Sequence, residues 1–174
     1  DLELPASMAQ MFGGPNHGIE GLRQRTGVRG RPLTCSALKP IGSPPEALAA
    51  LCRTFTLAGL DFIKDDHGWA NQDSAPFAQR MQYCQAAVQE ANAQRKDGRT
   101  LYAPSLYGHY GQMREQLTQA QRMGVEAVLI APMLCGVATF VALRREFPQM
   151  LFMAHPALAG GRIAPQVMLG KLFR

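Results

Sequence analysis

The sequence predicts an α/β protein of the partial (β/α)8 TIM-barrel class, with about five consecutive βα units. Three observations carry that prediction. From Pro32 onward a short apolar run, a polar or Gly/Pro loop and a longer amphipathic segment recur in that order, as in a parallel sheet with helical crossovers. Two joints, Ala58-Gly59-Leu60-Asp61-Phe62-Ile63 and Met123-Gly124-Val125-Glu126-Ala127-Val128, share one design: a helix ends, glycine takes the left-handed cap and a strand begins. No G-x-G-x-x-G follows the first strand, which places a barrel ahead of a dinucleotide-binding doubly wound sheet.

Taken in order, residues 1–31 read as a loop-rich lead-in, marked by Gly13-Gly14-Pro15, Gly27 and Gly30. Residues 32–174 read as the incomplete barrel domain. Its strands are Leu33–Lys39, Asp61–Asp66, Leu101–Ser105, Ala127–Ala131 and Met150–His155, each short and nearly continuously apolar, as a strand covered on both faces should be. The helices are Pro45–Leu57, Pro76–Arg95, Tyr110–Arg122, Gly136–Glu146 and Pro165–Phe173, the first two opening on prolines that suit an early helical position.

A length of 174 residues suffices for one domain with a sizeable core. With 47% apolar and 18% charged residues the chain is not a disordered linker. The net charge of +5 raises the question of nucleic acid, but the arginines are dispersed and no basic run with interleaved aromatics occurs, so no nucleic-acid partner is expected. Cys35, Cys52, Cys84 and Cys135 lack zinc-type spacing and read as buried free thiols of a reducing cytoplasm. No stretch approaches a membrane span, and the polar, acidic start is no signal peptide. The absence of an initiator Met and the apolar, helix-like end suggest a piece of a longer chain.

Parallel α/β folds place chemistry beyond the carboxyl ends of their strands. Two of the four lysines, Lys39 and Lys64, end the first two strands. Adjacent strands lie about 4.8 Å apart, so two inward lysines would approach one another and one would become a base or a carbon dioxide acceptor. The alternative is that they point outward as surface lysines. Ile63-Lys64-Asp65-Asp66-His67 is the densest polar cluster. Side chains alternate along a strand, so Lys64 and Asp66 share a face and Asp65 points the other way. A carboxylate and a lysine carbamate are hard oxygen donors suited to Mg²⁺, with His67 as a further ligand, whereas a salt-bridged loop is the plain alternative. His155 closes the fifth strand at the same end, while His17 and His109 read as loop or cap residues. Gly108, Gly111, Gly136, Gly160 and Gly161 follow strands, where backbone N–H groups approach a phosphate or merely turn.

On these residues the chain resembles the large subunit of RuBisCO, and more closely the non-carboxylating RuBisCO-like proteins of form IV. The similarity lies in Gly14-Pro15-Asn16-His17-Gly18-Ile19, in Gly30-Arg31-Pro32-Leu33 with Leu38-Lys39-Pro40, and in Gly59-Leu60-Asp61-Phe62-Ile63-Lys64-Asp65-Asp66. Pro76-Phe77-Ala78-Gln79-Arg80 and His155-Pro156-Ala157 extend it across nearly the whole chain. The resemblance implies that residues 1–31 are the tail of an N-terminal α/β domain, that the active site forms between two subunits, and that the complete protein is a homodimer. It implies that Lys39 handles an enolisation proton, that Lys64 becomes carbamylated, and that Lys64 and Asp66 bind Mg²⁺. The pattern departs at His67, where carboxylases and methionine-salvage enolases carry Glu, at Pro156, where an Arg is lost, and at Ala131-Pro132, which replaces a His-Asp end. Carbon fixation is therefore not expected.

The motif run with His67 and the His155-Pro156-Ala157 end looks most like the subgroup that decarboxylates a phosphorylated oxo sugar acid, 3-oxo-isoapionate 4-phosphate. That makes a carboxy-lyase with catalytic Lys39, Lys64 and His155, metal ligands Lys64, Asp66 and His67, and a phosphorylated sugar-acid substrate the leading expectation. The alternatives are a 2,3-diketo-5-methylthiopentyl-1-phosphate enolase of methionine salvage or a related isomerase, and a non-catalytic fragment. The isolated chain, lacking the last barrel units, is expected to be inactive.

Overall fold

The computed structural model describes residues 5, 7, 15–160 and 164. Its elements run α1 (Gly18–Thr26), β1 (Cys35–Leu38), α2 (Pro45–Leu57), β2 (Phe62–Asp65), α3 (Phe77–Asn92), β3 (Leu101–Ala103), α4 (Tyr110–Arg122), β4 (Ala127–Ile130), α5 (Pro132–Cys135), α6 (Val137–Glu146) and β5 (Leu151–Ala154). The five expected strands are present, each shorter at one or both ends than the apolar run that announced it. The predicted helix Pro165–Phe173 lies outside the described residues.

All strand pairs are parallel. β1 pairs with β2 (Cys35 with Phe62, Leu38 with Asp65), and β2 with β3 (Lys64 with Ala103). β4 pairs with β5 (Ala127 with Leu151). A parallel bridge between Ser105 and Leu129 joins the two groups, with Leu106 N–H donating to Leu129 O at 2.8 Å and Leu129 N–H to Pro104 O at 2.9 Å. The result is an arc in the order β1 to β5, the partial barrel that the βα alternation predicts.

The pleat sorts residues onto two faces. Leu38, Ile63, Tyr102, Val128 and Ile130 face the helices and pack with Leu48, Cys52, Met81, Cys84, Val88, Leu117 and Leu143. Phe62, Leu101, Ala103, Ala127 and Leu151 face the concave side. Each buried Leu, Ile or Phe of these layers contributes roughly 1.5–3 kcal/mol. Of the cysteines expected to be buried, Cys52 and Cys84 are, Cys135 is half-buried and Cys35 is exposed, because β1 has no neighbour on its outer side among the described residues.

Gly59 and Gly124 do adopt positive φ, +91° and +72°, at the two matching joints. The predicted helix Gly136–Glu146 is α6, and a short helix that was not expected precedes it: Pro132 opens α5, and Gly136 at φ +90° separates it from α6. Helix α3 stops before Arg95, whose guanidinium turns back to Leu60 O at 2.8 Å and Thr100 Oγ1 at 2.9 Å.

The loop-rich reading of the lead-in misses α1. Only Ile19 and Leu22 are large apolar residues in that helix, and Ile19 is exposed, so no amphipathic stripe announces it. Tertiary packing forms it instead: Leu22 sits against the concave layer at the amino ends of the strands. Arg31 then clamps buried Asp61 through two bonds of 2.7 and 2.8 Å, and Thr34 adds its N–H at 2.8 Å and its hydroxyl at 3.1 Å. Burial works upward on the Asp61 carboxyl, but these donors and the Arg31 charge hold it below the usual carboxylate range.

Candidate active site

The carboxyl rim gathers side chains from three strands. Leu38 faces the helices, so the alternation turns Lys39 to the concave side, as it does Lys64 and Asp66 relative to Ile63 and Asp65. Lys39 Nζ lies 3.6 Å from Asp66 Oδ2. Lys64 is half-buried, and its Nζ donates to Asp65 O at 3.2 Å. The two lysines therefore each find an oxygen partner. Asp66 Oδ1 accepts the His67 backbone N–H at 3.0 Å and lies 3.1 Å from His67 Nδ1. Burial raises the Asp66 carboxyl, yet the charges of Lys39 and His67, the His67 N–H and Lys64 together bring it below its ordinary value.

His155 crosses from β5 to stack on His67, with ring centroids 4.3 Å apart and planes 18° from parallel. Its Nδ1 accepts the Ala157 N–H at 3.1 Å, which leaves Nε2 as the protonated nitrogen of the neutral ring. Burial, then the neighbouring His67 and Lys64, push the His155 imidazole below its ordinary pKa despite Asp66. The predicted catalytic residues Lys39, Lys64 and His155 and the predicted ligands Asp66 and His67 thus share one rim. Beside them a cleft of about 270 Å³ opens between the turns after β2, β3 and β4, bounded by Trp69, Tyr107, Cys135 and His155.

Among the described residues no group of three His, Cys, Asp or Glu side chains is placed as a metal centre. The donor set explains why. Among the described residues Asp66 is the only carboxylate facing the two lysines, so the unmodified cluster carries excess positive charge. Carbamylation of Lys64 would exchange a cation for an anion and supply the second hard oxygen donor, so the residues fit Mg²⁺ in that chemical form.

The remaining candidates take other places. His17 caps α1 at the opposite end of the strands, with Arg25 Nη2 at 3.4 Å from its Nε2. His109 caps α4, its N–H donating to Gln112 Oε1 at 3.1 Å. Ahead of Gly108, the N–H groups that follow β3 are used within the protein: Ser105 N–H goes to Asp65, Leu106 N–H to Leu129 and Tyr107 N–H to Gln116.

A network behind the rim escaped the sequence reading. Asp65 is fully buried on the helix side of β2 and accepts Arg80 Nε at 3.0 Å, Tyr102 OH at 2.7 Å and Ser105 N–H at 3.0 Å. Burial pushes this carboxyl up against the pull of Arg80 and the other donors. Arg80 also donates to Ala75 O at 2.7 Å and Ala70 O at 3.1 Å, and lies 4.8 Å from the Trp69 ring centroid. Trp69 Nε1 in turn donates to Leu38 O at 3.2 Å, next to Lys39. One signal was available: Arg80 shares a helical stripe with Phe77, Cys84 and Val88, all buried, and an arginine there needs a buried partner.

The chain is similar to known proteins over its whole length. The family model for the ribulose bisphosphate carboxylase large chain, catalytic domain, matches residues 18–172. The chain is 54% identical over its whole length to a protein of Rhodospirillum rubrum named 5-methylthioribulose-1-phosphate isomerase, covering 47% of that protein. It is 35% identical over its whole length to the 2,3-diketo-5-methylthiopentyl-1-phosphate enolase of Geobacillus kaustophilus, covering 44% of it. The crystal structure of a Rubisco-like protein from Rhodopseudomonas palustris superposes with a TM-score of 0.93 at 49% identity, covering all of this chain and 49% of that one. The chain belongs to the RuBisCO large-chain family, among its RuBisCO-like proteins. It spans about half the length of these relatives. The expected decarboxylase subgroup finds no support here, since the activities named are an isomerase and an enolase. No helix among the described residues is long and apolar enough to cross a membrane.

Proposed function

We propose that the full-length protein is an isomerase of a phosphorylated methylthio keto sugar, of the 5-methylthioribulose 1-phosphate type, working through an enolate. The observation that carries this reading is the pairing of Lys39 Nζ with Asp66 Oδ2 at 3.6 Å, beside Lys64 on the same face. An isomerisation of this kind needs a base that removes a proton next to a carbonyl and returns it at another carbon. Lys39 is that base, held toward the site by Asp66. His155 presents Nε2–H to the developing enolate oxygen, because Nδ1 is occupied by Ala157. Carbamylated Lys64 and Asp66 would hold Mg²⁺, with His67 as a further donor; when bound, the ion polarises the substrate carbonyl. Lys64, Asp66 and His67 otherwise orient the substrate oxygens and keep Lys39 in place. A homodimer is part of this proposal: Ile41, Val137 and Leu158 leave an exposed apolar fringe around the rim that a second copy would cover.

The test uses the full-length protein with Mg²⁺ and bicarbonate in deuterated water. With 5-methylthioribulose 1-phosphate the expected result is an isomeric product carrying deuterium, and loss of it in Lys39→Ala. Absence of turnover there, with carbon dioxide release from 3-oxo-isoapionate 4-phosphate, would restore the decarboxylase reading in its place.

A further inference from the structure

The rim is divided by chemistry. β1, β2 and β5 bring Lys39, Lys64, Asp66, His67 and His155. The β3–β4 side brings the apolar wall of the adjoining cleft: Leu106, Met113, Leu129, Ala131, Leu134 and Cys135. We infer that this cleft is the subsite for the apolar end of the substrate, a methylthio or similar alkylthio substituent, while the phosphorylated keto-sugar portion lies over the charged side. The inference rests on the isomerase reading above.

Four observations carry it. The cleft's volume of about 270 Å³ suits part of a ligand rather than a whole one. The consecutive Ser105, Leu106 and Tyr107 N–H groups along its floor all have partners within the protein, so an anion entering there would meet no continuous donor row. Leu134 stands on the lip at 59% exposure, on a helix that Pro132 starts right at the strand end, where it gains from an apolar cover. Trp69 and Tyr107 border the same space, and thioether sulfur makes favourable contacts with aromatic rings.

The test compares kcat/KM of the full-length protein for 5-methylthioribulose 1-phosphate and 5-deoxyribulose 1-phosphate, which differ only in the methylthio group. Wild type is expected to prefer the first by on the order of tenfold or more. Leu134→Asn should lower that ratio severalfold while kcat/KM for the deoxy substrate stays within about twofold, and Leu134→Met should restore the ratio. Because Leu134 is exposed, neither change threatens folding. Equal kcat/KM for both substrates in wild type would overturn the subsite and leave the isomerase standing. An unchanged ratio in Leu134→Asn would place the methylthio group elsewhere and overturn it as well. No turnover of either substrate would remove the isomerase reading and the subsite with it.

Discussion

Asp65 and Asp66 are neighbours on one strand end and live in opposite worlds. Asp65 points toward the helices, is fully buried, and spends its oxygens on Arg80, Tyr102 and the Ser105 N–H. Asp66 points to the concave rim and meets Lys39 and His67. Burial dominates the first and lifts its carboxyl, whereas neighbouring positive charge prevails at the second and lowers it. The same residue type, one position apart, becomes a framework pin on one face and, in the proposed function, a chemical group on the other. Strand pleating alone separates the roles.

Substitutions on the two faces should therefore separate stability from activity. The largest effect is expected from Arg80→Ala, which leaves Asp65 buried without its ion partner. It should destabilise the full-length protein by about 3–5 kcal/mol in denaturant unfolding; a loss below about 1 kcal/mol would mean the pin is dispensable. On the other face, Asp66→Asn keeps the acceptor for His67 N–H but removes the charge beside Lys39. Its expected signature is a roughly 10²–10⁴-fold fall in kcat with an unfolding midpoint close to wild type. A matching loss of stability would erase the contrast.

Tyr102→Phe removes one hydrogen bond to the Asp65 carboxylate and should cost about 1.5–3 kcal/mol, with KM unchanged. Acid titration sharpens the contrast further. Asp61 and Asp66 have lowered folded values, so their contributions are present above about pH 4 and are lost as pH falls through the folded pKa. Asp65, with a raised folded value, has the opposite sign: its contribution is full at low pH and is lost as pH rises through that value. Asp61→Asn should accordingly flatten the acid limb of stability below about pH 4; an unaltered limb would assign it to other carboxylates. The smallest effect belongs to Trp69→Phe, which keeps the ring and deletes the bond to Leu38 O. About 0.5–1.5 kcal/mol of stability should go, with a larger proportional fall in kcat than rise in KM, because Lys39 follows Leu38.

Much of the fold was legible because its signals are local. Apolar runs bounded by glycine joints mark buried strands, and the joints behave as read at Gly59 and Gly124. Helix α1 was illegible because its nine residues carry almost no apolar stripe, and the concave layer it covers is assembled from four strands. The site divides similarly. Lys39, Lys64, Asp66, His67 and His155 stood out as polar residues at strand ends, where the topology puts chemistry. The decarboxylase expectation went too far because it rested on a subgroup likeness around His67, and that residue's surroundings are not written in its immediate neighbours.

What the sequence determined by itself was phase: a side-chain period of two residues puts Lys64 and Asp66 together and Asp65 behind them, whatever the rest of the chain does. Only the tertiary structure decided the partners. The stacking of His155 on His67, the burial of Arg80 against Asp65 and the apolar wall facing the charged rim all join segments far apart in the chain. Short-range stereochemistry repeats along a strand and can be counted, whereas contacts between distant strands exist only once parallel pairing has closed the arc.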